Sequence, residues 1–290
     1  MRPINIIVAA SSSIMSAYIL QNFRFGGETL YTLLVVASYT GAANAFNDYC
    51  DYEIDLINRP NRPLSQGLIN SSEALLFSII LFFFGSLVSL LLPLNATILS
   101  VGIAMPLMIV YSLKLKGAPL IGNIVVSIVI GMSFMFFGFS HGNIMPMVIP
   151  AALSFGLTLL RELIKDIADI EGDKKNNLKT LPIILGEQKT IFVSFCFIFI
   201  IGVGCLIPYY FNIYGNYYLI LLIVGVEVPL ILIVYYFMKF PLISSAKKSA
   251  NLLKFSIIAG LIAIPSDSSG SFTLGTIPTT GLSLYDTLLS

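Results

Sequence analysis

The sequence predicts an all-α fold, a polytopic membrane bundle of about nine transmembrane helices with a polar cap on the cytoplasmic side over an apolar cavity. Three observations predict it. The 290 residues are 57% hydrophobic and only 11% charged, with a mean hydropathy of +0.90, a composition outside the soluble globular range. Apolar windows about 20 residues long recur along the chain. Charged connections alternate with nearly uncharged ones, as they do when successive loops emerge on opposite sides of a bilayer.

Taken in order, the windows fall at roughly 4–21, 29–47, 73–92, 95–113, 118–139, 144–163, 190–211, 216–238 and 249–265. The first follows Met1-Arg2-Pro3 and, with so many spans after it, reads as a retained helix rather than a signal peptide. Pro93-Leu94-Asn95 and 209–216 are short, nearly uncharged connections, whereas 48–72, 114–117, 164–189 and 239–248 carry most of the charge. On this reading Arg59, Arg62, Lys114, Lys116, Arg161, Lys165, Lys174, Lys175, Lys179, Lys189, Lys239, Lys247 and Lys248 share one side, which the positive-inside rule makes cytoplasmic. Arg2 and Lys254 agree, and Arg24 is the lone basic residue opposite. Residues 1–265 thus form one transmembrane domain. The Ser-, Thr- and Gly-rich stretch 266–290 begins where the last helix is completing its crossing, and is expected to be disordered or foreign to the fold.

The net charge of +1 gives no support to a nucleic-acid partner. Cys50, Cys196 and Cys205 lack metal-ligand spacing and read as small hydrophobes. His141, in a loop opposite the acidic side, reads as a solvated loop residue.

Two acidic clusters end apolar windows at matching places: Asn47-Asp48-Tyr49-Cys50-Asp51-Tyr52-Glu53-Ile54-Asp55 and Asp166-Ile167-Ala168-Asp169-Ile170-Glu171-Gly172-Asp173. On a helix Asn47, Asp51 and Asp55 share a face with Asp48 beside them, as do Glu162, Asp166, Asp169 and Asp173. Like charges so stacked repel by a few tenths of a kcal/mol per pair, so as mere structure the clusters are a liability. A divalent cation turns them into a site. All-oxygen ligands favour a hard ion such as Mg2+, which takes one or two carboxylates plus substrate phosphates. That predicts a phosphorylated substrate, with nearby Arg and Lys clamping a departing diphosphate. Lys174 and Lys175 are equally explained by the positive-inside rule, whereas Arg62 and Lys165, within the clusters, read as functional. Toward the midplane, Phe134, Phe136, Phe137 and Phe139 alternate with Gly131, Ser133 and Gly138, a pattern that would line an apolar cavity for a hydrocarbon tail. Residue by residue, ordinary helix packing explains the same pattern.

These motifs carry a resemblance. Asn47-Asp48-x-x-Asp51-x-x-x-Asp55 with Arg59-Pro60-x-Arg62-Pro63, and Asp166-x-x-Asp169-x-x-x-Asp173, resemble the two aspartate motifs of the UbiA-type intramembrane prenyltransferases. Tyr111-Ser112-x-Lys114 and Gly122-Asn123 extend the likeness, which covers about residues 1–265. It implies Mg2+ held by both motifs, an isoprenoid diphosphate donor, release of diphosphate, and an allylic cation that an acceptor captures. Asn47, Asp51, Asp55, Asp169 and Asp173 become the metal and diphosphate shell, with Asp48 and Asp166 as second choices orienting Lys or Arg partners. Tyr111 matches a tyrosine near the reacting carbon, where its ring would support positive charge; its plainer role is an interfacial anchor. Asn123 and Lys165 join Asn47, Arg59, Arg62, Lys114 and Lys116 as substrate-binding candidates.

The 57–63 and 161–173 stretches most resemble the archaeal branch of that family that makes membrane ether lipids. This implies a geranylgeranyl diphosphate donor and a lipid phosphate acceptor, geranylgeranylglyceryl phosphate, whose phosphate falls to Lys114, Lys116, Arg59 or Arg62. The alternative within the fold is an aromatic acceptor such as a quinone precursor. A CDP-alcohol phosphatidyltransferase fits less well, because its aspartates form one contiguous block with Asp-Gly steps, and here Asp51 precedes Tyr52. A divalent-cation transporter would place carboxylates near the midplane, where only Glu227 stands.

Overall fold

In a computed structural model of the chain, the described residues are 3–20, 26–58, 60–240 and 242–264. Arg2, Arg24, Arg59 and the 266–290 tail lie outside them. Among the described residues every regular element is helical. The order is α1 (Pro3–Ile19), α2 (Gly27–Cys50), α3 (Tyr52–Asn58), α4 (Ser71–Ser89) and α5 (Leu94–Thr97). A π-helical segment (Ile98–Ala104), α6 (Met105–Val110) and a second π segment (Tyr111–Leu115) continue α5. Then come α7 (Ile121–Ser140), α8 (Met145–Lys175), α9 (Leu181–Leu185), α10 (Glu187–Tyr210) and α11 (Asn216–Leu222). A third π segment (Ile223–Glu227) leads into α12 (Val228–Lys239), and α13 (Leu242–Ala263) closes the bundle.

Six stretches are long and apolar enough to cross a bilayer: Ser71–Ser89, Leu94–Leu115, Ile121–Ser140, Met145–Lys175, Glu187–Tyr210 and Asn216–Lys239. The outer faces of these stretches expose residues such as Phe83, Phe199 and Ile231, as lipid contact requires. The other three expected windows are also helical, in α1, α2 and α13, but are shorter or more polar. Glu28, Asn44, Asn47 and Asp48 interrupt α2, and Lys247, Lys248 and Lys254 interrupt α13.

Helix α8 is the axis of the core. It packs against α7, α13 and α10, and its Leu157, Leu160, Leu163, Ile164 and Ile167 are buried. It runs twelve residues beyond the expected window end at 163, because no proline or left-handed residue stops it and Glu162 bonds Lys165 one turn on. At about 46 Å it exceeds a hydrocarbon core of about 30 Å, so its acidic end projects from the apolar layer. Asn177, at φ 54°, ends it with a Leu178 N–H bond to the Asp173 carbonyl at 3.0 Å.

Close approach does the packing elsewhere, as expected where apolar burial gives helices no preference for one another over lipid. Tyr39 on α2 bonds Ser86 on α4 at 2.8 Å, its ring lying over Gly85. Ser89 and Ser100 share a 2.6 Å bond across the turn into α5. Gly131 and Gly138 sit against Ala151 and Ile144, while Phe134, Phe136 and Phe137 are buried. The two glycines of the α7 pattern thus pack against α8 and its approach, while Phe134, Phe136 and Phe137 join the core. His141 departs from expectation. Half-buried at the end of α7, its Nδ1 donates to the Phe137 carbonyl at 3.0 Å, so Nε2 accepts from Thr29 of α2 at 3.2 Å.

At the third π segment, a Cβ added to Gly225 would lie 2.4 Å from Cβ of Ala259 on α13. Gly225→Ala is expected to destabilise the bundle by about 1–3 kcal/mol. Adding Ala259→Gly should restore most of the loss, which thermal unfolding of the two variants in detergent would measure.

Candidate active site

The first acidic cluster straddles a local break. Helix α2 ends at Cys50, Asp51 takes φ −91° and ψ 5°, and α3 begins at Tyr52. Hydrogen bonding nevertheless runs through: Asp51 N–H reaches the Asn47 carbonyl at 3.0 Å, and Asp55 N–H the Asp51 carbonyl at 2.8 Å. Asn47, Asp51 and Asp55 therefore stay stacked at steps of four. Asp51 and Asp55 are buried, at 4% and 6% exposure, so their charges need partners.

Asn47 donates to Asp51 at 2.7 Å, and the Lys116 ammonium pairs with the same carboxylate. Arg62, folded back from the loop after α3, bonds Asp48 at 3.0 Å and also pairs with Asp55. Desolvation holds the Lys116 ammonium below the ordinary lysine range, with Asp51 pulling the other way.

Lys116 reaches Asp51 because of the backbone before and after it. The second π segment closes with a Lys116 N–H bond to the Tyr111 carbonyl at 3.1 Å, a five-residue step that underwinds the helix end. Beyond it Leu120 adopts φ 61° and ψ −39°, with an Ile121 N–H bond to the Pro119 carbonyl at 2.6 Å. That tight γ-turn costs a non-glycine residue about 1–3 kcal/mol. Leu120 is held there by packing against Leu159, Leu163 and Leu181. The turn starts α7 so that Asn123 donates to Asp166 of α8 at 2.8 Å. Gly122 makes this possible, since a Cβ there would lie 2.4 Å from the Leu115 carbonyl oxygen.

The second cluster occupies the projecting end of α8. Glu162, nearly buried, bonds Lys165 at 3.1 Å and pairs with Arg161. Asp173 accepts from Thr180 at 3.1 Å, and Thr180 stands at the N-cap position of α9 ahead of Pro182. Asp169, half-buried, makes no ion pair or side-chain hydrogen bond among the described residues.

The two clusters meet at Lys116. It lies within electrostatic reach of Asp51 and Asp55 on one side and of Glu162, Lys165 and Asp173 on the other. The 116–119 loop is tied to the loop after α8 by a Lys179 N–H bond to the Gly117 carbonyl at 3.0 Å. The loop that carries Lys116 is thus joined to α2 through Asp51 and to the chain following α8 through Lys179.

The family model described as the UbiA prenyltransferase family matches residues 6–258. The chain belongs to the UbiA prenyltransferase family. It is 37% identical over 225 residues to a digeranylgeranylglyceryl phosphate synthase of Methanosphaera stadtmanae, covering 78% of this chain and 82% of that protein. It is 34% identical over 277 residues to the synthase of that name from Pyrococcus furiosus, covering 95% and 96%. A solved structure concerned with digeranylgeranylglyceryl phosphate synthase in membranes superposes at TM-score 0.74 and 33% identity, over 91% of this chain and 94% of that one. A UbiA homolog from Archaeoglobus fulgidus bound to DMAPP and Mg2+ shares the fold at TM-score 0.61 and 16% identity, over 90% and 97%.

Within this UbiA frame, the site residues expected from sequence are not all brought together. Asn47, Asp48, Asp51, Asp55, Arg62 and Lys116 form one connected set, and Asn123 with Asp166 another. Lys165, Asp169 and Asp173 stand on the face of α8 that Lys116 approaches. Tyr111 is half-buried in the π segment, and Lys114, three residues on, is exposed with no ion pair among the described residues. Arg59 lies outside the described residues. Glu162 and Thr180 were missed as site residues. Glu162 lies on the acidic face of α8, and Thr180-Leu181-Pro182 is a recognisable helix start, so both had a local signal.

Among the described residues no three His, Cys, Asp or Glu side chains converge on one point. The set still suits Mg2+, which needs one or two carboxylates per ion and fills its sphere with phosphate and water oxygens. The first motif already holds positive charges at Asp51 and Asp55, and Asp169 offers an open carboxylate. Glu227 is separate from this site. Its Oε1 is buried without a hydrogen-bond partner, beside Gly202 in a groove of about 240 Å3 between α10 and α12.

Proposed function

We propose that this chain transfers a geranylgeranyl group from geranylgeranyl diphosphate to geranylgeranylglyceryl phosphate, forming the second ether bond of an archaeal membrane lipid. The observation that carries the single-site reading is Lys116, paired with Asp51 while its loop is bonded to the loop that follows the second motif. The named relatives support the choice of donor and acceptor.

In this reading α1, α2 and α13 also cross the membrane, making nine spans in a domain of residues 1–265. The motifs face the cytoplasm, the side that the basic residues favour. Asp51, Asp55, Asp169 and Asp173, with Asn47 behind Asp51, would hold Mg2+, which neutralises the leaving diphosphate when bound. Arg62 releases Asp55 and Lys116 releases Asp51, each then taking diphosphate oxygens, while Asp48 keeps its bond to Arg62 and Asp166 its bond to Asn123. The bond between the allylic carbon and diphosphate oxygen breaks, and its electron pair leaves with the diphosphate. The acceptor hydroxyl oxygen bonds that carbon and loses its proton to diphosphate or water after positive charge has developed, so no dedicated base is needed. Tyr111, at the apolar edge of the set, supports the cation with its ring.

The test is incubation of purified protein with labelled geranylgeranyl diphosphate and either geranylgeranylglyceryl phosphate or 4-hydroxybenzoate. Labelled diether lipid phosphate is the expected product, and prenylation of the aromatic alone would overturn the acceptor. EDTA should abolish transfer, and added Mg2+ should restore it.

A further inference from the structure

We propose that Arg161 and Lys165, held in place by Glu162, bind the phosphate of the acceptor lipid. This rests on the lipid phosphate acceptor proposed above, and assigns that phosphate to cations other than those expected from sequence. Of the expected four, Lys114 is exposed, Arg62 and Lys116, paired with the first-motif carboxylates, are assigned to the donor diphosphate above, and Arg59 lies outside the described residues.

The Arg161 and Lys165 pair differs from these. Two cations share one carboxylate, with Arg161 paired to one oxygen of Glu162 and Lys165 bonded to the other at 3.1 Å. Arg161 Nε is buried with no hydrogen-bond partner, a cost that a protein removes by supplying an acceptor. A phosphate oxygen is such an acceptor, and a guanidinium offers it a planar fork of donors. Lys165 lies within electrostatic reach of Asp166 and Asp169, so it borders the carboxylate end of the site, whereas Arg161 stands one turn further from that end along α8.

Depth fits the reaction. Arg161 lies eight residues, about 12 Å, from Asp169 toward the apolar end of α8. The donor carbon hangs from its diphosphate in that direction, and the attacking hydroxyl must come within about 3–3.5 Å of it. In the acceptor the phosphate is carried on the carbon next to the one bearing that hydroxyl. Two anionic groups must therefore be held on the order of 10 Å apart by separate cations. The aspartate level serves the first, and the Arg161 level is placed for the second.

The variants are Arg161→Gln, Lys165→Met and, as a conservative control, Arg161→Lys. Each is assayed with geranylgeranylglyceryl phosphate and with unphosphorylated geranylgeranylglycerol, and equilibrium binding of the phosphorylated lipid is measured without donor or metal. The expected result is an acceptor KM and Kd raised about tenfold or more for the phosphorylated lipid in Arg161→Gln, with Arg161→Lys intermediate. In Arg161→Gln, donor KM and the rate with the unphosphorylated acceptor should stay within about twofold of the parent, and Lys165→Met should likewise raise the acceptor KM and Kd. A raised donor KM with unchanged acceptor binding would overturn the assignment, making these residues diphosphate clamps. Equal loss with both acceptors would overturn it too, as a packing effect. If the parent protein transfers only to an aromatic, the functional reading falls and this inference with it. If the parent uses the lipid phosphate and the variants bind it normally, the inference alone falls.

Discussion

Asp51→Asn is expected to reduce prenyl transfer by about a thousandfold while leaving the helices in place. The amide is nearly isosteric with the carboxylate and still presents an oxygen to the Asn47 donor, so the 2.7 Å bond across one turn survives. What disappears is charge. Asp51 is the carboxylate that Lys116 answers, and it is among the four proposed to hold Mg2+. A neutral ligand at this buried position would both weaken the metal and leave the Lys116 ammonium with a poorer partner. Steady-state transfer rates over a range of Mg2+ concentrations, with Mn2+ binding followed by electron paramagnetic resonance, would check the two parts separately. Asp48→Asn provides the contrast. Arg62 keeps Asp55 there, so a loss of about tenfold is expected. A silent Asp51→Asn would remove Asp51 from the site.

Gly122→Ala should be the most damaging single methyl group in the site. Its Cβ would lie 2.4 Å from the Leu115 carbonyl oxygen and 3.3 Å from the Leu115 carbonyl carbon. Neither is the free end of a side chain, so relief requires moving the backbone that carries Lys116, or the start of α7 that carries Asn123. Misplacement of reacting groups by about 1 Å costs about a hundredfold in rate, and a loss of about 1–3 kcal/mol of stability should accompany it. The rate should fall much more than the unfolding temperature suggests, because the strain falls on the loop joining the two motifs. Gly102→Ala is the internal control, since its nearest neighbour would be Ile98 Cγ2 at 3.9 Å.

Much of this site was legible in the linear sequence. Asn47, Asp51 and Asp55 are bonded through the break at Asp51 at the steps of four that their spacing implied. Asp166, Asp169 and Asp173 lie on one helix as expected. These are relations within one turn or two, set by the α-helical rise and by residue type, and they survive any packing of the bundle. The helical windows were legible for the same reason, since a run of about 20 apolar residues in lipid must satisfy its backbone internally.

Other readings needed the third dimension. Lys114 and Lys116 look interchangeable in the sequence, yet the π segment and the Leu120 turn bring one to Asp51 and leave the other exposed. Which neighbours meet the glycines of α7 is likewise a tertiary matter, since Ala151 and Ile144 fill the space over them. His141 was placed in solvent, and the closeness of Thr29 to the end of α7 made it a cap instead.

The helical membrane class and the two carboxylate stripes can be read from the chain alone, because hydropathy and helical periodicity are local properties. Which cation meets which carboxylate is fixed by tertiary packing alone, as is the link that the Lys116 loop makes between the two motifs. Lys116 and Asp51 are 65 residues apart, and their contact depends on one underwound helix end, one strained turn and one missing Cβ. No periodicity in the chain encodes the sum of those three.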